Sequence, residues 1–189
     1  MTPVPFDSQD VSTLDALYVT HEHSNHRHEA SQAPLLAGTG APLYAPSESA
    51  GRCRDEEAWH ERRAIDSDQF HTVTVGETVS ISPFDVTVAD ARDPAAVDPV
   101  SHVVDHDAGT FFHAGDDQPR TVTFYNDGDE VIEIANQLRL DALLPSHYDL
   151  WRGVLADPKA LHDHAHTMAF PRRLKRARIG DRVDLHPDG

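Results

Sequence analysis

The sequence predicts an α/β fold with a substantial antiparallel meander, and three observations carry that prediction. A short apolar run with a β-branched end, LDALYVT (14–20), is followed by helical spacing. The period then turns alternating over 71–91 and 100–117. Helical spacing returns at 129–140, ahead of a further apolar run at 141–151. A chain of 189 residues buries one substantial core, so a single domain spanning 1–189 is expected.

The run 14–20 reads as a buried strand whose C-terminal end delivers a cluster of histidines, the place where sites in α/β proteins commonly lie. From about His28 to Leu36 the pattern is helical and stops at GTG (38–40), after which PLYAP (42–46) is a brief strand. SESAGRCRDEEAWHERR (47–63) opens with Ser47 as a cap and continues as a helix. HTVTVGETVSIS (71–82) reads as two strands around a Gly-Glu turn, and FDVTVADA (84–91) continues the meander. VSHVVDHDAGTFFHAGDD (100–117) reads as a hairpin that turns at Asp107 to Gly109 and ends in Gly115 and Asp116. DEVIEIANQLRL (129–140) is helical, and DALLPSHYDLW (141–151) is a strand ending in His147. DPKALHDHAHTM (157–168) is a helix with Pro158 in its first turn, and IGDRVDL (179–185) closes the chain as a strand.

Charge narrows the function. There are 32 acidic against 16 basic residues, a net charge of -16, and the basic side is fourteen Arg with two Lys, Lys159 and Lys175. An acidic shell of this density suits a high-salt cytoplasm, where salt screens its self-repulsion. It argues against a nucleic-acid or anionic-membrane partner, because phosphate backbones are bound by basic stripes. RRLKRAR (172–178), the one basic cluster, offsets neighbouring acids. Cys53 is alone, so neither a disulfide framework nor a Cys-x-x-Cys clip is expected. MTPVPFDSQD lacks the basic and apolar regions of a signal peptide, and no stretch approaches the roughly 18 apolar residues of a spanning helix. The expectation is a soluble cytoplasmic protein.

The chemistry concentrates in VTHEHSNHRH (19–28). His-x-His at the end of an extended strand puts two imidazoles on one side of the backbone, within reach of a single cation. Neutral imidazole suits zinc, manganese or iron. Four histidines in so short a run, directly after a buried strand, make a metal site the better reading than scattered surface residues.

The run His21, Glu22, His23, Ser24, Asn25, His26 resembles the His-x-His-x-Asp-His signature of the metallo-β-lactamase superfamily. GDD with Asp116, and His147 after a later strand, follow in that superfamily's order. Within it the sequence is most similar to the L-ascorbate 6-phosphate lactonase-like group, through ALYVTHEHSNH, VGETVSISPFDVTVADARD, GTFFHAGDD and LLPSHYDLWRGVLADP. The resemblance covers nearly the whole chain. It implies an αββα sandwich holding one or two divalent ions, zinc or manganese. His21 and His23 would hold the first ion, His26 and His147 the second, and Asp116 would bridge them. Asp90 and Asp93 in ADARD stand where most of the superfamily has a further histidine, and His102 is the nearest alternative ligand.

Three departures from the pattern carry expectations. The signature aspartate is Asn25, a neutral ligand that would weaken the second ion while costing the first little. Only 20 residues precede His21, where the superfamily places several strands, so a short first sheet with an exposed edge is expected. A homo-oligomer or a partner chain would cover that edge. The interval from Asp116 to His147 is also shorter than the lactonase group's.

Other residues read more blandly. His102, His106 and His113 lie on a hairpin, where His102 and His106 share a face and suit solvent as well as metal. HDHAH (162–166) on a helix points to different sides and reads as a solvated face. Tyr148 and Trp151 suit packing around His147, and Asp149 could orient that ring. Arg92 and Arg120 flank site loops in a chain whose default cation is Arg.

The function implied by the resemblance is a metal-dependent hydrolase acting on a small lactone, ester or phosphoester. Asp116 or His147 would serve as general acid. The rival from another class is a non-catalytic metal-binding or interaction module that kept His21 and His23 but lost the second site.

Overall fold

Alternation along three short strands builds the first two layers. The computed structural model describes residues 7–56, 59, 65–116, 128–137, 142–144, 173–174 and 181. These fall in two units, Phe6–Gln118 and Pro119–Gly189 with Met1–Pro5.

In the first unit β1 (Leu17–Tyr18), α1 (Glu29–Thr39), β2 (Leu43–Ala45), α2 (Ser47–Asp55) and β3 (Phe70–Thr72) alternate along the chain. The strands form a parallel sheet in the order β1-β2-β3, with Leu17, Leu43 and Phe70 in register. Successive side chains on a strand face opposite ways. Leu17, Val19, Leu43, Ala45 and Phe70 accordingly pack with Ala33 and Leu36 of α1 and Ala50 and Cys53 of α2. Tyr18, Tyr44 and His71 occupy the other face as a stack, with ring centroids 5.0 and 4.9 Å apart.

Helix α1 ends where expected: Gly40 takes φ 70° and its N–H caps Leu36 O, a left-handed conformation that costs glycine little. The expectation for α2 needs correction. Pro46 is the cap residue, without a side-chain bond, and Ser47 is the first helical residue. The Ser47 hydroxyl donates instead to Asp98 Oδ2 at 2.7 Å. The helix stops at Asp55, and 57–58 and 60–64 lie outside the described residues.

The second sheet is an antiparallel meander of β4 (Thr78–Ile81), β5 (Phe84–Asp90), β6 (Val100–His106) and β7 (Gly109–His113). The β6–β7 hairpin turns at residues 107 and 108, pairing His106 with Gly109. The two strands expected around the Gly-Glu turn are present as β3 and β4, but they do not pair with each other as a meander would require. β3 pairs in parallel with β2, whereas β4 pairs with β5, so the turn at Gly76 carries the chain from one sheet to the other. Val73, Val88 and Val100 form a buried cluster with Tyr44 and Val79 against it, which packs the sheets face to face. The first unit is thus helices on one sheet, and that sheet on the next.

In the second unit α3 (Gly128–Gln137) buries Ile132 and Ala135, and β8 (Ala142–Leu143) pairs in parallel with β9 (Arg173–Leu174). β9 thus draws two residues from the basic cluster. Arg120, His147, Tyr148, Asp149, Trp151, the expected helix 157–168 and all of 179–185 except Asp181 lie outside the described residues. Among the described residues, no helix is long and apolar enough to cross a membrane.

Candidate metal centre

Strand β1 ends at Tyr18, and Val19 and Thr20 carry the backbone on to the histidines. Val19 N donates to Tyr44 O at 3.0 Å, and Thr20 O then accepts from Val100 N at 2.9 Å, tying the parallel sheet to the start of β6. Beyond Thr20 the chain turns, with His26 N and Arg27 N both donating to His23 O at 2.9 and 2.8 Å. Arg27 anchors the far end of the turn. Its guanidinium donates twice to the Glu56 carboxylate, at 2.7 and 2.9 Å, and lies over the Trp59 ring.

Four side chains converge on the near end. His21, His23, Asp93 and Asp116 each offer one ligand atom, and these atoms lie within 4.8 Å of one another. His21 Nε2 is 3.0 Å from His23 Nδ1, 3.8 Å from Asp93 Oδ2 and 3.9 Å from Asp116 Oδ2. His23 Nδ1 is 3.7 Å from Asp93 Oδ2. Ligand atoms about 2.1 Å from one ion stand roughly 3 to 4 Å apart, so these spacings suit a single divalent cation.

The protonation pattern suits it too. His23 Nε2 lies 3.1 Å from Ala95 O, an acceptor only, so it donates there and leaves Nδ1 as a lone pair facing inward. Burial, and next the neighbouring His26 ring, push the His21 imidazole down to about 4, against the pull of Asp116 and Asp93. At neutral pH this ring is uncharged. Two imidazole nitrogens and two carboxylate oxygens are a donor set for zinc, manganese or iron.

Asp116 also faces a third histidine. Its Oδ2 lies 3.1 Å from His26 Nε2, and the His26 ring sits 4.0 Å from that of His21. Asp116 therefore stands between the histidines assigned to the first ion and the one assigned to the second. His147 lies outside the described residues. Asn25 is in the same turn with its side chain exposed.

Of the three alternatives after the meander, the fold brings in Asp93. Asp90 is exposed at the end of β5. His102 is 3% exposed in β6, edge-on to Tyr18 at 5.1 Å, outside the four-residue group. Its burial corrects the expectation of a solvent-facing hairpin histidine. Loop contacts deliver Asp93. Ala95 N donates to Asp93 Oδ1 at 2.9 Å, turning Oδ2 toward the histidines, and Val97 N donates to both oxygens of buried Glu22 at 3.1 Å.

Sequence reasoning assigned no role to Thr20, Glu22 or Gly115. Thr20 Oγ1 lies 3.0 Å from His21 Nδ1 and 3.3 Å from His26 Nδ1. A Cβ on Gly115 would sit 3.1 Å from Thr20 Cβ and Oγ1, and Gly115 has φ 64°. Glycine there allows the Asp116 segment to close on Thr20.

Solved structures share this architecture. The isothiocyanate hydrolase from Delia radicum gut bacteria matches with TM-score 0.69 at 14% identity, over 97% of this chain and 81% of that one. The metallo-β-lactamase fold protein YhfI from Bacillus subtilis matches with TM-score 0.66 at 16% identity, over 94% and 78%. CmlA, a diiron β-hydroxylase from Streptomyces venezuelae, matches with TM-score 0.63 at 12% identity, and the chain spans 44% of it. No protein-family model and no curated protein matches the chain. The chain has the metallo-β-lactamase fold, with a His/Asp group fit for a metal beyond the end of β1.

Proposed function

We propose that the chain is a metal-dependent hydrolase acting on a small lactone, ester or phosphoester, with zinc or manganese held by His21, His23, Asp93 and Asp116. The convergence of those four ligand atoms within 4.8 Å carries the reading. A divalent ion supplies Lewis acidity toward a carbonyl or phosphoryl oxygen and acidifies water. The chain's own residues do the rest. Asp116 Oδ2, 3.9 Å from His21 Nε2 and 3.1 Å from His26 Nε2, would hold a proton in transit to a leaving group. Asp93 and His23 are oriented by loop contacts made through Oδ1 and Nε2, with Oδ2 and Nδ1 turned toward the other ligand atoms. The net charge of -16 favours a small substrate in a salty cytoplasm over nucleic acid.

The test is metal-free protein in high salt, titrated with zinc or manganese and assayed on a lactone, an ester and a phosphodiester. One or two ions bound per chain, with turnover of at least one substrate that is lost in His21→Ala, is the expected result. Bound metal without turnover of any substrate, or no bound metal at all, would overturn the hydrolase reading and favour the non-catalytic module.

A further inference from the structure

We propose that Thr20 is a positioning residue for both halves of the metal centre. Its single hydroxyl would fix the tautomers of His21 and His26 together. This rests on the metal reading above but not on the choice of substrate.

The argument begins with which nitrogen faces inward. His21 presents Nε2 to the two aspartates, and His26 presents Nε2 to Asp116. A neutral imidazole carries one proton, so an Nε2 that is to act as a ligand requires that proton on Nδ1. Both Nδ1 atoms turn to the same place, Thr20 Oγ1, at 3.0 and 3.3 Å. A hydroxyl oxygen has two acceptor lone pairs, enough to take both N–H groups. Thr20 is 4% exposed, so water is a poor substitute partner.

The hydroxyl is held in place from two directions. The Thr20 carbonyl accepts from Val100 N at 2.9 Å, and Gly115 packs against the side chain where any Cβ would come within 3.1 Å. The residue before Asp116 therefore presses on the residue that orients the histidines Asp116 faces. His23 is set independently, through Ala95 O. Loss of the Thr20 hydroxyl would therefore affect His21 and His26 and spare His23.

Thr20→Val keeps the side-chain shape and deletes the hydroxyl, while Thr20→Ser keeps the hydroxyl. Zinc affinity and stoichiometry would be measured by chelator competition, with nitrogen-15 spectra of the imidazoles in the zinc-loaded proteins. Losses of outer partners of metal ligands run to roughly 10- to 100-fold in affinity, and T20V should show that loss for every ion the wild type binds. T20S should bind near the wild-type level. Protected Nδ1–H signals of His21 and His26 should appear in wild type and T20S and vanish in T20V. Thr20→Ala replaces T20V if the valine variant fails to fold. Unchanged affinity in the hydroxyl-free variant, or T20S as weak as T20V, would overturn the proposal while leaving the metal site standing. A wild type that binds no zinc would overturn both.

Discussion

Asp93 and Asp116 reach the same small volume from different loops, with ligand oxygens no more than 4.8 Å apart. At an effective dielectric of about 20, two such charges repel by roughly 3 kcal/mol, which a divalent cation reverses. Asp93→Asn should therefore have opposite effects in two states. The metal-free variant should melt no lower than metal-free wild type, while the rise in melting temperature on adding zinc should shrink. Calorimetry with and without zinc reads both. A metal-free variant that melts clearly lower would mean that Asp93 serves mainly to anchor its loop, through Ala95 N.

Asn25 matters for the charge that it lacks, and its exposed position leaves room for replacement. A carboxylate there would strengthen a second ion beside His26. Asn25→Asp is expected to raise zinc stoichiometry or the affinity of the weaker ion in the same competition assay. Unchanged binding would remove Asn25 from the site.

At the scale of elements, strand β6 places His102 across from His113 and edge-on to Tyr18, and its Nε2 has no hydrogen-bond partner among the described residues. Burial, and then His113, push His102 down to about 4. In the unfolded chain the ring titrates near its ordinary value of about 6.5. The folded pKa is the lower one, so His102's contribution is intact above about 6.5 and is lost as pH falls from there toward 4, by about 3 kcal/mol at most. His21 is shifted in the same direction and adds to the slope in the metal-free chain. Urea unfolding between pH 7 and 4 should show stability falling, with a shallower fall in His102→Leu. An equal slope in that variant would assign the effect elsewhere.

The same scale shows where local pattern stops being informative. The apolar and β-branched runs marked β1, β2, β5 and the β6–β7 hairpin, because alternation is a property of each strand alone. It did not reveal that β3 joins β2 in parallel while β4 turns to β5, since the period of a segment says nothing about its partner. Ser47 misled for a related reason. A serine ahead of a helix is a good cap, but Pro46 already starts the turn, and the Ser47 hydroxyl has Asp98 within reach.

For the whole molecule, the net charge of -16 acts on the compact state as self-repulsion. Screening shortens from about 10 Å at 0.1 M salt to about 3 Å at 1 M, so the chain should melt progressively higher as potassium chloride rises through that range. A melting temperature that is flat or falls with salt would contradict the high-salt reading.

The sequence by itself determined the facing of each strand and the residue types that carry chemistry. Leu17 and Val19 had to oppose Tyr18 and Thr20, because that follows from extended backbone geometry, whereas His21 and His23 meet in the turn that follows, 3.0 Å apart. Asp116 entered through the resemblance, by its place in GDD after the hairpin, and the fold brings it beside the histidines. The tertiary structure alone decided that Asp93 and not Asp90 reaches the histidines, that Glu22 clips the loop through Val97, and that Gly115 closes on Thr20. Those contacts join residues far apart in the chain. They arise only when two sheets have packed, and no local period encodes them.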